Sequence, residues 1–88
     1  MIPPDWICEI LAPNTEVLAR AEKMPLYARE GVRHLWFIDP ISRLLELYRL
    51  KGSSWFRIDA FCDDDLVCAE PFDAFELMLA DLWSDTEE

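Results

Sequence analysis

Apolar positions along the chain recur in two rhythms, and the switches between them mark the elements. Trp6 to Leu11 is apolar on both alternating faces apart from Glu9, as in a strand covered on both sides of its sheet. A carboxylate in such a strand demands an explanation. Ala12-Pro13-Asn14-Thr15 reads as a turn, with Asn14 or Thr15 placed to cap a following helix and Glu16 favoured in its first turn by the helix dipole. The helix is predicted to run to about Glu30 and to stop at Gly31. Val17, Ala21, Met24 and Ala28 form one stripe at helical spacing, and Ala19, Lys23 and Tyr27 form another. Pro25 lies inside this helix, so one backbone hydrogen bond is lost and a bend is expected near Ala21.

His34 to Ile38 is the next apolar run, closed by Asp39-Pro40, and it is predicted to pair parallel to the first strand through a right-handed crossover. Ser42 to Leu50 alternates, with Leu44, Glu46 and Tyr48 opposed to Leu45, Leu47 and Arg49. Lys51-Gly52-Ser53-Ser54 turns the chain into a second alternating run, Trp55 to Phe61, which suggests a hairpin. Asp63-Asp64-Asp65 is another turn before a short strand, Leu66 to Ala69. Pro71 to Phe75 leads into an amphipathic turn or two, Glu76 to Trp83, and then a charged tail. The order is β-α-β-β-β-β-α, an α/β (α+β) fold with a mixed sheet, one principal crossover helix and a short C-terminal helix. It is a whole architecture only if something covers the far face of the sheet.

With 88 residues, 52% of them hydrophobic, the chain is sized for one domain that buries about 60% of its unfolded surface. The formal net charge is −10. All eight basic residues lie between Arg20 and Arg57, whereas Ile58 to Glu88 carries acids and no base. A nucleic-acid binder draws most of its affinity from Lys and Arg on phosphates, so this balance speaks against direct DNA binding. A divalent metal would reverse the local field and reopen that route. Cys8, Cys62 and Cys68 form no CxxC pair and sit in apolar stretches, which reads as reduced thiols in a cytoplasmic protein. The N-terminus lacks a signal-peptide pattern and no window approaches 18 uninterrupted apolar residues, so neither secretion nor membrane insertion is supported.

The phrases PDWICEILAPNT, KMPLYAREGVRHLWFIDP, LELYRL and PFDAFELMLADLW resemble the Uma-type family of restriction-endonuclease-like proteins within the PD-(D/E)XK superfamily. The resemblance covers essentially the whole chain. It implies a restriction-endonuclease-like fold and metal-dependent hydrolysis of a DNA phosphodiester, in which an Asp, a Glu or Asp in the next strand, and a nearby Lys bind Mg²⁺ and activate water. Carboxylates suit that chemistry because Mg²⁺ prefers hard oxygen ligands and offsets charge building on the phosphate. Carried over by position, Glu9 matches the acidic ligand, and Lys23, on the following helix, matches the lysine. Leu11 holds the x-K place and cannot serve. Asp5, in the Pro-Asp that opens the strand, is a further candidate ligand. Ala12 stands where the family has Ser, and Ala19 where it has an acid. The superfamily's first metal-binding Asp lies upstream of Pro4. The expectation is therefore a single partial domain, residues 1–88, truncated, with the N-terminal part missing and its activity left open.

Plainer readings stand beside these. Glu9 and Lys23 read equally well as a structural ion pair between strand and helix, because a buried carboxylate is costly unless partnered. Asp5 also reads as an exposed or capping acid, Asp39 as a turn residue, and Asp63 to Asp65 as a solvated turn without EF-hand spacing. Tyr27 is expected in the core with its hydroxyl near Lys23, and His34 in a packing role. The functional alternative is a non-catalytic interaction or oligomerisation module, in which an exposed sheet edge recruits a second copy of the chain.

Overall fold

The structure, a computed structural model, describes residues 4–72 and 76–84. Strands β1 (Trp6–Ile10), β2 (His34–Asp39), β3 (Leu44–Lys51) and β4 (Ser54–Cys62) form one sheet in that spatial order. β1 and β2 are parallel, as the crossover predicts, and β2, β3 and β4 are antiparallel. The hairpin between β3 and β4 closes on Lys51 opposite Ser54, with Gly52 at φ 63 taking the left-handed position of the turn. β1 departs from the sequence expectation. Among the described residues it is an edge strand, its residues are half-buried or exposed, and Ile10 is 70% exposed.

The segment joining β1 to β2 is a helix over 16–30 in three parts. Glu16–Leu18 and Met24–Glu30 are α-helical, and Ala19–Lys23 is a π turn in which the Met24 N–H reaches back to the Ala19 carbonyl. Pro25 explains the widening, because its ring crowds the carbonyl one turn back and it has no N–H to give. The wider turn also shifts the inward face. Ala19 is buried and Arg20, Lys23, Met24 and Tyr27 are half-buried, while Val17 and Ala21, expected to share the inward stripe with Met24, are exposed. Thr15 occupies the N-cap position, yet its hydroxyl bonds the Ala12 N–H at 3.2 Å and so fastens the preceding turn instead of capping the helix. Gly31, at φ 82, ends the helix as predicted.

The sheet separates two apolar clusters. On the helix side, Leu11, Ala19, Leu35 and Phe37 are buried, with Ile7, Met24, Tyr27, Tyr48 and Trp55 packed against them. On the far side, Trp36, Leu45 and Leu47 pack against Val67, Ala69, Leu79 and Trp83. The cover that the sequence left open is thus the chain's own C-terminal segment. The strand predicted after Asp65 does not join the main sheet. It forms a two-stranded ribbon, β5 (Leu66–Val67) with β6 (Leu77–Met78), and a short helix, Ala80–Ser84, follows. Most of the expected lead-in, at 73–75, and the charged tail from 85 onward lie outside the described residues.

Polar ties fix both layers to the sheet. On the helix side Arg20 donates to Glu16 at 2.9 Å, Tyr48 at 3.1 Å and Glu46 at 3.0 Å, and the Tyr48 hydroxyl donates to Glu46 at 2.8 Å. Burial opposes the charge on Arg20, but these bonds outweigh it and hold the guanidinium protonated above its ordinary range. On the far side Arg49 grips the Glu70 carboxylate through two nitrogens, His34 Nδ1 lies 3.1 Å from Glu70 Oε2, and Trp36 Nε1 donates to the Glu70 carbonyl at 2.9 Å. His34, expected in a packing role, thus stands half-buried beside a carboxylate.

Two outcomes are expected. Arg20→Leu leaves Glu46, only 8% exposed, without its cation and destabilises the fold by about 3 kcal/mol in urea melts; a second change, Glu46→Leu, recovers most of that loss. The Arg49 hydrogen bond holds the Glu70 carboxyl below its ordinary range, although burial works the other way. A depressed carboxyl adds stability above its unfolded-state pKa and loses it as pH falls through the folded value. Thermal melts across the acid range should therefore decline less steeply for Glu70→Gln than for the parent chain.

Candidate functional site

Register places the candidate residues before any side chain is considered. Glu9 pairs with Phe37 and Phe37 with Glu46, so the three form one row across β1, β2 and β3 on the face that the helix covers. With strands spaced about 4.8 Å apart, the α-carbons of Glu9 and Glu46 lie about 10 Å apart with Phe37 between them. Above this row the π turn carries Arg20 and Lys23. Each serves a different acid, Arg20 to Glu46 and Lys23 to Glu9.

At Glu9 two groups of the helix converge. Lys23 Nζ lies 3.2 Å from Oε1, and the Tyr27 hydroxyl donates to Oε2. Lys23 and Tyr27 are four residues apart on one helix face, so both reach the same carboxylate. The Glu9 side chain is 17% exposed and that of Lys23 43%, so the pair opens to solvent on the lysine side. Burial first, and then the Glu9 carboxylate, push the Tyr27 hydroxyl up to about 12. It therefore remains a proton donor at neutral pH. The neighbouring Cys8 thiol is pushed up to about 11, by burial first and then by Glu9, which leaves it protonated and weakly nucleophilic.

The structure brings Glu9, Lys23 and Tyr27 together and leaves the other candidates apart. Asp5 is exposed just before β1, its carbonyl accepting the His34 N–H at 2.9 Å. It precedes the strand, and the four residue steps of chain from it to Glu9 separate the two α-carbons by up to roughly 13 Å. Leu11, in the place of the superfamily lysine, is buried in the helix-side core, as is Ala19. Asp39 Oδ1 accepts the N–H groups of Ile41 and Ser42 at 3.1 and 3.2 Å, and Asp65 Oδ2 accepts that of Cys62 at 2.9 Å. These are turn residues, as the plainer readings expect.

Sequence reasoning missed Arg20 and Glu46. The alternation of β3 set Glu46 on one face with Leu44 and Tyr48 without showing that the helix covers that face. The available signal was Arg20, three residues before Lys23, together with Glu46 and Tyr48 on one strand face.

Among the described residues, no three His, Cys, Asp or Glu side chains gather in a group able to hold a metal ion. Glu9 alone supplies a hard oxygen ligand. That fits Mg²⁺ as one carboxylate of a set completed by waters and substrate phosphate oxygens. A carboxylate offers about four lone-pair positions. Lys23 and Tyr27 engage one each, which leaves room for a cation.

No helix among the described residues is long and apolar enough to cross a membrane. A crystal structure of a protein from Anabaena variabilis, titled a putative nuclease belonging to DUF820, superposes with a TM-score of 0.69 at 28% sequence identity. The match covers 96% of this chain and 46% of that one, so this chain spans about half the length of its structural relative. Among curated proteins no sequence matches. The family Uma2, described as "Putative restriction endonuclease", matches residues 1–80. The fold is thus nuclease-like, and the chain belongs to the Uma2 family.

Proposed function

We propose that this chain is a phosphodiester-hydrolysing domain acting on DNA with the help of a divalent cation. The observation that carries the reading is the convergence of Lys23 and Tyr27 on the Glu9 carboxylate at a half-open position on the sheet. Mg²⁺, when bound, would polarise the phosphate and lower the pKa of a bound water. Glu9 would hold it. Tyr27 fixes one carboxylate oxygen and so sets the direction of the remaining lone pairs. The ammonium of Lys23 can donate to a non-bridging phosphate oxygen and offset the charge that builds there in the transition state. Asp5, exposed just before the same strand, remains a candidate ligand by resemblance. The cation would also be the means of approach to DNA, since the chain carries −10 and has no basic tract after Arg57. Free Cys8, Cys62 and Cys68 support a reducing, cytoplasmic setting.

A second reading has its own observation. Both oxygens of Glu9 already have partners within the fold, and β1 is an edge strand among the described residues. Both facts suit a non-catalytic member of the fold that acts as an interaction module.

Cleavage assays on supercoiled, linear and single-stranded DNA with Mg²⁺ or Mn²⁺ separate the two readings. Nuclease function predicts cutting that a chelator stops and that Glu9→Gln lowers by roughly 100-fold or more. Absence of cutting on every DNA form with either metal would leave only the interaction module. Tyr27→Phe should destabilise the fold by about 1 to 2 kcal/mol in urea melts by removing a hydrogen bond to a charged group. The deficit should be largest below pH 10 and shrink as pH rises through the folded-state value near 12, because the raised hydroxyl adds stability only while protonated.

A further inference from the structure

We infer that Lys23 is a removable counter-ion: its ammonium and a divalent cation hold the Glu9 carboxylate in turn, so that binding the cation releases Lys23. The exchange rests on the cation of the nuclease reading above; it does not require cleavage.

Charge balance carries the argument. Glu9 has one negative charge, and Lys23 Nζ, 3.2 Å from Oε1, already matches it, while the Tyr27 hydroxyl donates to Oε2. Lone pairs remain on the carboxylate for a cation, but no further charge does. The other acid of the same row, Glu46, lies about 10 Å away and is matched by Arg20 at 3.0 Å. Asp5 is exposed ahead of the strand. A doubly charged cation on Glu9 therefore meets the ammonium across one carboxylate, where only 17% of the glutamate side chain is open to water. Like charges so placed repel more strongly than at an open surface, because water screens them less. One of the two must leave.

The fold makes Lys23 the one that can. Among the described residues its ammonium has a single ion pair, longer at 3.2 Å than the roughly 2.7 to 2.9 Å usual for a charge-assisted bond. The side chain is 43% exposed, a strongly hydrated point charge on a flexible stem, so release returns both water and rotamer freedom to it. Arg20, three positions earlier on the same π turn, is the opposite case, its guanidinium spread over Glu16, Tyr48 and Glu46. A fixed cation thus covers Glu46 and a releasable one covers Glu9. Tyr27 brings no charge and stays on Oε2 throughout. The freed ammonium remains tethered beside the site, where a phosphate oxygen can replace Glu9 as its partner. By linkage, a phosphate that draws Lys23 away tightens the cation by the same factor.

Mn²⁺ titration of the full chain, read from the electron paramagnetic resonance signal of the free ion, tests the exchange. Lys23→Met keeps the apolar stem without the charge and should bind the Glu9-dependent ion about tenfold more tightly. Lys23→Arg keeps the charge in a fork that grips a carboxylate at two points, and should bind that ion several-fold more weakly. The Arg variant separates exchange from the effect of net charge, which Lys and Arg share. Glu9→Gln should lose the ion. A second measurement needs no variant: relaxation of the labelled Lys23 methylene beside Nζ should show the side chain freed at saturating Mg²⁺. Equal Mn²⁺ affinity in the parent, Met and Arg chains overturns the exchange. So does weaker binding in Lys23→Met, or a Lys23 side chain as restrained with Mg²⁺ as without it. The expected variant effects without cleavage of any DNA support the exchange and count against the nuclease reading alone. No Glu9-dependent ion in any variant overturns both.

Discussion

Two carboxylates on a covered sheet face, Glu9 and Glu46, set the terms for the rest of the molecule. Each would cost several kcal/mol if left unpaired away from water. The element that covers them must therefore bring one cation to each, on either side of Phe37. The helix does so with Arg20 and Lys23, which leave the same π turn. Arg20 also lies 4.9 Å from the centre of the Phe37 ring, and Tyr48 meets that ring edge-on at 5.6 Å. Packing and charge thus fix the helix in the same place.

Pro25 links this electrostatic demand to local geometry. In a regular α-helix it would break the backbone ladder near Ala21; here the misfit is spread over Ala19–Lys23 as a π turn. The π turn shifts the inward face so that the two cations, rather than Val17 and Ala21, meet the sheet. Tyr27 then falls one turn beyond Lys23 and closes on the free oxygen of Glu9. The contrast between the two ion pairs matters for function. Glu46 sits beneath a guanidinium with three acceptors and serves the fold, whereas Glu9 faces a half-exposed ammonium that can exchange partners.

Much of the fold was legible in the sequence, for identifiable reasons. β2, the hairpin of β3 and β4, the stop at Gly31 and the parallel crossover all rest on local chemistry or on short-range periodicity. Glu9 stood out because it interrupts an apolar run, and Lys23 because of the family resemblance. The misses share a different cause. Glu46 looks solvated when β3 is read alone and becomes buried only when a helix about 20 residues earlier in the chain covers it. Val17 fits an α-helical stripe that the π turn breaks. The pairing of β5 with β6 depends on a long-range closure that two-residue strands do not announce. β1 reads as a covered strand, yet its outer edge is open among the described residues, and periodicity reports faces, not edges.

The central claim is that Glu9, already bonded by Lys23 and Tyr27, has lone pairs left for a divalent cation. Mn²⁺-induced broadening in the amide spectrum of the labelled protein tests it most directly. Sub-stoichiometric Mn²⁺ should broaden the signals of Cys8 to Ile10, Lys23 and Tyr27 first, and Glu9→Gln should abolish that effect. Broadening confined to the Asp63 to Asp65 turn, or unchanged in Glu9→Gln, would contradict the account.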